Sequence, residues 1–451
     1  MASRGVGSPG ALRRLFLVTS PGLERSLERE LQLLGVPGQF ETLHGGVAVH
    51  GLAETMWRCT LQSRLAELVL LRLGDPFHAP DVRSLDAGLQ RLPWHHYLRL
   101  GAMTPIIKVS SVMLRRFQEK SRLYHTKLIE ERVADSIRAA ANLQEQEVAS
   151  PSGAAELPEV RLRLRHNEAQ VSVAASGLLH KRGARKAIGD ASMRETYAAA
   201  CVLASPMLRR LTAAAHHDEE LVLWDPFCGS GAILLEALEI ALGQAPGGPF
   251  SKYHPFKSFP CHDAQEYERV AKSIQPEPNA SISKLTLLGS DQSEEQIQRL
   301  QSNLRRCLRR LQIPSIQAVR EAKGKASSRE ELLEALPCRV QLVQGSISKV
   351  VKRLQGRPTM IVTNVPFGLA SGGKQDREWG LPEASDTYGQ LGRLLRQQRA
   401  DWRGVYCLAA FPDSFRTHTG LDWSSELRFL SGSRWVDLLS WSGSVRQARK
   451  G

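Results

Sequence analysis

The sequence predicts an α/β protein in two parts: a mixed α+β region at the N-terminus, then a parallel α/β sheet from about Thr196 onward. Three observations carry this. Hydrophobic residues make up 42% of the 451, enough to bury more than one core. The N-terminal part mixes short β-prone runs with amphipathic helical stretches. From Thr196 apolar runs alternate with helical ones, the mark of parallel strands joined by crossover helices.

The stretch MASRGVGSPGALRR has arginines and no acids; residues 1–14 read as a disordered tail, with an organelle address as the alternative. A strand begins at Leu15. Ser20 and Pro21 suit a helix cap and first position, Leu23, Leu27, Leu31 and Leu34 share one face, and Gly35 stops the helix. This first module runs to about residue 75. PIIKVSSVML reads as a strand and YHTKLIEERVADSIRAAANL as a helix. VRLRLRHNEAQVSVAAS gives two alternating strands, with Val160, Leu162 and Leu164 on one side. Arg161, Arg163 and Arg165 line the other, as a solvated face or an RNA contact. A glycine-punctuated linker follows, crowded with Lys181, Arg182, Arg185 and Lys186. Two stretches interrupt the later α/β pattern: the aromatic, proline-rich QAPGGPFSKYHPFKSFPCHDAQEYERV and the charged QAVREAKGKASSREELLEAL, expected to be a surface insertion.

The formal charge of +14 favours an acidic partner, nucleic acid above all, through phosphate neutralisation. The seven cysteines form no CxxC pair, which argues against a disulfide framework and a zinc site and fits a reducing compartment. No apolar run approaches the ~20 residues of a membrane helix. The cytoplasm is the expected location, with a mitochondrion or plastid as the alternative.

Four apolar runs end on a polar residue: LVLW at Asp225, KLTLLGS at Asp291, VQLVQG at Ser346 and TMIVT at Asn364. Open parallel sheets bind ligands beyond the carboxyl ends of their strands, so these residues point at one crevice. After Asp225, Gly229 and Gly231 let the backbone approach a ligand, and the helix that follows presents N–H groups that suit a carboxylate. Only part of a dinucleotide fingerprint is present, so NAD fits poorly. An acid just before the loop suits a ligand with an amino-acid moiety, such as S-adenosylmethionine. Asp291 stands where a ribose-binding carboxylate belongs; for either aspartate the alternative is a helix cap.

The exocyclic amine of a base is a poor nucleophile, because its lone pair is delocalised into the ring. The Asn364 side-chain oxygen and the Val365 carbonyl are placed to accept its N–H bonds. Pro366 fixes the turn, and Phe367 offers a face on which the base can stack. Methyl transfer then needs positioning, with no metal and no covalent nucleophile.

These residues resemble those of class I S-adenosylmethionine-dependent methyltransferases. From about Leu15 to Trp441 the chain resembles the THUMP-domain RNA guanine-N2 methyltransferases, and most of all their bacterial-type large-subunit ribosomal RNA branch. SPGLERSLEREL, WRCTLQSRLAELVLL, YHTKLIEERVADSI, SGLLHKRGARKAIGDASMRETYAAA and DTYGQLGRLLRQ carry the likeness. It implies a ferredoxin-like domain at 15–75, an RNA-gripping THUMP domain at 76–176, a linker at 177–195 and a Rossmann-like methyltransferase domain at 196–445. It places Arg194, Glu195 and Thr196 in motif X, Asp225, Cys228, Gly229 and Gly231 in motif I, Asp291 with the adjoining Gln292 in motif II, and Asn364, Pro366 and Phe367 in motif IV. His125 and Lys127 fall in the family's His-Thr-Lys helix and join the linker cations as RNA contacts. Three features depart from the pattern. The strand before the linker reads SVAASG, where the family often has an acid before Ser-Gly. Ser346 stands where motif III has an acid. Asn-Val-Pro-Phe replaces Asn-Pro-Pro-Tyr, nearer to THUMP enzymes of transfer or small nuclear RNA. The alternatives are the same chemistry on those RNAs, or a non-catalytic RNA-binding ribosome-assembly factor, favoured by Ser346 and Val365 and opposed by the Gly229/Gly231 loop and Asn364. Some relatives need a small activator protein, and no second methyltransferase domain follows, unlike in some fused members.

Overall fold

Four of the strands expected from the sequence lie side by side in one sheet. The computed structural model describes residues 12–98, 107–111, 121–142, 159–188, 192–213, 219–247, 254–324, 327–366, 381–397 and 401–443. The chain divides into two compact units. One comprises Met1–Thr19, Leu27–Leu179 and Ser251–Ile274; the other comprises Ser20–Ser26, His180–Phe250 and Gln275–Gly451.

The described strands of the first unit are β1 (Arg13–Val18), β2 (Gln39–Leu43), β3 (Gly46–Gly51), β4 (Leu68–Arg72), β5 (Phe77–His78), β6 (Ile107–Ser111), β7 (Val160–Arg165) and β8 (Glu168–Ala174). Together with the helices Glu24–Leu33 and Ala53–Gln62, β1 to β4 give the β-α-β-β-α-β order of a ferredoxin-like fold. The helix Glu24–Leu33 begins later than Ser20 and Pro21 suggest. Gly22, at φ +99, puts a left-handed turn between them that a helix cannot contain. The sheet runs β2-β3-β1-β4-β8-β7-β6, and β8 pairs β4 through Leu70 opposite Ala174. The sequence divides this region at 75/76; the structure joins both sides in one sheet and one unit. His166 and Asn167, both at positive φ, make the two-residue turn between β7 and β8. The segment Ser251–Ile274, expected within the methyltransferase domain, belongs to this unit. Trp57 meets the rings of His262 and Tyr267 edge-on, at 5.9 and 5.7 Å, and that aromatic contact holds the segment there.

The strands of the second unit are β9 (Leu221–Asp225), β10 (Leu285–Asp291), β11 (Arg339–Gln344), β12 (Thr359–Asn364), β13 (Trp402–Ala409), β14 (Ser424–Ser431) and β15 (Arg434–Trp441). They form one sheet in the order β11-β10-β9-β12-β13-β15-β14. β9 to β13 are parallel, while β15 runs antiparallel to both β13 and β14. Chain order reverses between β9 and β12, so the crevice beyond those two strand ends is the topological switch point. The charged stretch from Gln317 includes the end of one helix, Pro314–Lys323, and a second, Arg329–Glu334, opened by a capping box on Ser328.

Candidate active site

Asp225 ends β9 almost fully buried, at 2% exposure. Its Oδ1 accepts from the Thr363 hydroxyl on β12 at 2.6 Å and from the Phe227 backbone N–H at 3.3 Å. Burial pushes its pKa up to about 7 against those two hydrogen bonds, with a further push from Asp291. Thr363 is the neighbour sequence reasoning missed; its mark is a polar residue one position before the strand end.

The loop after Asp225 is tied to β10. Cys228, buried, donates its N–H to the Ser290 carbonyl at 3.0 Å, and the Gly229 N–H donates to Asp291 Oδ2 at 3.0 Å. Asp291 Oδ1 accepts from the Ser293 N–H at 2.9 Å. The cap of the helix Glu294–Leu308 is Ser293, not Asp291, so the helix-cap alternative for this aspartate falls. Asp291 instead holds the loop, and its half-exposed carboxylate still has lone pairs facing outward. Gln292 beside it is exposed. Ser346 is half-buried and starts the helix Ile347–Val351, and the Gly345 N–H donates to the Asp291 carbonyl at 2.9 Å.

The two loop glycines do different work. At Gly229, φ +49, a Cβ would find nothing nearer than Gln296 Oε1 at 4.0 Å, so it opens onto free space. At Gly231, φ +90, a Cβ would lie 2.1 Å from Leu300 Cδ1. Gly231 is therefore required by its packing against Leu300 of the helix Glu294–Leu308. Gly231→Ala should destabilise the protein by about 2–5 kcal/mol, the sum of overpacking and a left-handed β-carbon. Denaturant unfolding measures this. Gly229→Ala should cost about 1–2 kcal/mol of stability and weaken cofactor binding more than Gly231→Ala does.

Of the motif X residues, Arg194 is exposed with its guanidinium 5.7 Å over the Tyr197 ring, and Glu195 and Thr196 open the helix Glu195–Ala204. Thr196 is buried, and its hydroxyl has no hydrogen-bond partner among the described residues.

Asn364 ends β12 beside this loop, and its Oδ1 is buried with no hydrogen-bond partner among the described residues. The Val365 N–H donates to the Leu408 carbonyl at 3.2 Å, and its side chain sits in the core. Pro366 is exposed. Phe367 lies outside the described residues.

The linker corrects two expectations. Arg182 is 6% exposed and paired with buried Glu236, so its guanidinium is not offered to RNA. Arg185 reaches inward to Glu195 Oε1 at 3.2 Å and Ser230 Oγ at 3.0 Å, and also bonds Ser192 and the Met193 carbonyl. It braces motif X against the loop. Asn303, also missed, completes the brace. Its Oδ1 accepts from the Lys186 and Ala187 N–H groups at 3.1 and 3.0 Å, and its Nδ2 donates to the Ala187 and Ser230 carbonyls at 2.8 and 3.0 Å. The available signal was an amide between Leu300 and Leu304 on an apolar helix face. Lys181 and Lys186 remain exposed.

In the first unit His125 and Lys127 are exposed, with the His125 ring 4.2 Å from Tyr124. Arg161, Arg163 and Arg165 are half-buried; Arg161 pairs with Glu159. Arg72, on β4, lies across β8 from them, opposite Ser172 as Arg161 is, and joins that arginine face; burial and the Arg163 charge both lower its pKa.

Two domain models match the chain: an RlmL ferredoxin-like domain over residues 14–70, and an RMKL-like methyltransferase domain over residues 182–323. The ribosomal RNA large subunit methyltransferase K/L of Methylococcus capsulatus is 28% identical over 411 residues, covering 90% of this chain and 48% of that one. Its Chromohalobacter salexigens counterpart is 27% identical over 433 residues, covering 93% and 50%. The chain thus spans about half the length of the curated relatives it matches. Among solved structures, a possible methylase from Clostridium difficile 630 aligns with TM-score 0.71 at 21% identity, over 97% of this chain and 100% of the other. SMU.472 complexed with SAH aligns at 0.67 and 21%, over 97% and 99%.

Sheet order, loop and domain match together define the second unit as a class I methyltransferase domain, a class whose cofactor is S-adenosylmethionine. Within that class, the chain is similar to the RlmKL type of ribosomal RNA methyltransferase, in its ferredoxin-like domain as well as its methyltransferase domain. The site fits the cofactor on its own geometry. Gly229 leaves a cradle that a Cβ would fill, Asp225 offers an acid at the switch point, and Asp291 offers a second at the next strand end.

Proposed function

We propose that the chain is an S-adenosylmethionine-dependent methyltransferase that modifies the exocyclic N2 of a guanosine in large-subunit ribosomal RNA. The observation that carries this is the buried, unpartnered Oδ1 of Asn364 at the switch point. A buried acceptor without a donor costs about 1–3 kcal/mol, and a base amine is the donor that would satisfy it. When bound, the cofactor supplies an electrophilic methyl group on a sulfonium. Asn364 Oδ1 accepts one N–H of the amine and the Val365 carbonyl the other, which aims the nitrogen lone pair along the line of transfer. As the N–C bond forms and the S–C bond breaks, one amine proton leaves to solvent. Asp225 would hold the ammonium of the cofactor and Asp291 its ribose.

The raised pKa of Asp225 has a consequence for cofactor affinity. An ammonium favours the ionised carboxylate, so binding lowers the aspartate's pKa below its free value of about 7 and releases a proton at lower pH. Affinity should be flat above pH 7 and fall as pH drops below it, up to about tenfold per unit. Calorimetry from roughly pH 5.5 to 8.5 measures this. Asp225→Asn should bind weakly and with little pH dependence.

The RNA species is tested by incubating the protein with labelled S-adenosylmethionine and total RNA, then separating RNA by size. Label is expected in large ribosomal RNA. Transfer RNA is the second reading, favoured by Val365 where the ribosomal family has proline; label there would promote it. The RNA contacts assigned to His125, Lys127 and the β7 arginines in the first unit, those assigned to Lys181 and Lys186 in the second, and any activator protein belong to the same proposal.

A further inference from the structure

We propose that Tyr388 is a positioning residue for methyl transfer, its buried phenol fixing the Pro366 carbonyl and with it the Asn364–Pro366 turn. This rests on the reading of Asn364 as the group that meets the base. Tyr388, on the helix Leu381–Gln397, donates its Oη proton to the Pro366 carbonyl at 2.7 Å. The ring is 2% exposed and meets Phe415 edge-on at 4.9 Å, in the same core cluster as Val365, Leu391 and Leu395. Burial pushes its pKa up to about 12, with Cys407 adding to it, so the hydroxyl keeps its proton and stays a donor.

Proline has no N–H, so the carbonyl is the one backbone polar group Pro366 has, and Tyr388 takes it. On the other side of the turn, the Val365 N–H is held by Leu408 and its side chain by the core. The turn is thus pinned before and after its proline. Among the described residues the Asn364 Oδ1 is the side-chain acceptor of this turn without a partner, beside the Val365 carbonyl proposed for the second N–H. An amide that must direct a lone pair needs such a frame, since a misplacement of about 1 Å can cost about 10²-fold in rate.

The plain alternative is that a buried tyrosine needs some acceptor for its hydroxyl and this carbonyl was at hand. The two differ in what the hydroxyl controls. In the full-length chain, with in-vitro-transcribed large-subunit ribosomal RNA, Tyr388→Phe should lower kcat about ten- to a hundredfold. The cofactor Kd and the KM for RNA should stay within about twofold. In an Asn364→Ala background Tyr388→Phe should have little further effect, because it acts through that residue. Leu391→Ala opens the same core without touching the hydroxyl. It should lower the melting temperature and leave kcat of the folded fraction near wild type. Unchanged turnover in Tyr388→Phe overturns the proposal. So does a kcat loss matched by weaker cofactor binding, by a lower folded fraction, or by the same kcat loss in Leu391→Ala. If Asn364→Ala itself turns over at the wild-type rate, the site reading fails first. If Asn364→Ala is inactive and Tyr388→Phe is not, only the role of Tyr388 is lost.

Discussion

Asn364→Ala should lose about 10²- to 10³-fold in kcat, the usual cost of removing one oriented polar group that acts on the reacting centre. Its cofactor Kd should stay within about twofold, since Asp225, Gly229 and Asp291, the residues proposed to hold that ligand, are fixed by Thr363, Phe227, Ser293 and one another and not by the Asn364 side-chain oxygen. Folding should be little affected and can improve, because the side-chain oxygen is buried without a partner in the free protein. A variant that is more stable but inactive is the signature of an atom kept for its ligand. Steady-state kinetics with single-turnover measurements, beside thermal unfolding, read all of this.

Arg182→Ala should destabilise the protein by about 3–5 kcal/mol. The guanidinium pairs with Glu236 inside the protein, and Glu239, also buried, sits one turn further along the same helix. Removing the cation strands a buried carboxylate. Arg182→Met with Glu236→Leu should recover most of the loss, because an apolar pair of similar volume avoids the desolvation of both charges. Denaturant unfolding of both variants gives the comparison. Lys181→Gln with Lys186→Gln should show the opposite profile: unchanged stability, weaker RNA binding and a flatter dependence on salt. An unchanged salt slope would return those lysines to a solvated face.

The strand ends were legible because an apolar run that stops at a polar residue is a local signal, and Asp225, Asp291, Ser346 and Asn364 all stand at or just beyond the ends of neighbouring parallel strands. The linker was half legible. Its four cations look alike in sequence, and nothing local separates Lys181 and Lys186, which face solvent, from Arg182 and Arg185, which face inward. The clue lay about fifty residues downstream, in acids on a helix that is otherwise apolar. The Pro366–Tyr388 bond was out of reach, since it joins residues of two elements across an intervening glycine-rich stretch. The packing of the excursion Ser251–Ile274 was out of reach for the same reason: it lies within the stretch the methyltransferase domain model matches, yet aromatic contacts with Trp57 place it in the first compact unit.

The most direct test of the central claim is nucleoside analysis of RNA methylated by the purified protein, run beside Asn364→Ala. The proposed chemistry predicts N2-methylguanosine with the wild type and only a trace with the variant. Label in N6-methyladenosine, or the same yield of N2-methylguanosine from both proteins, would contradict it.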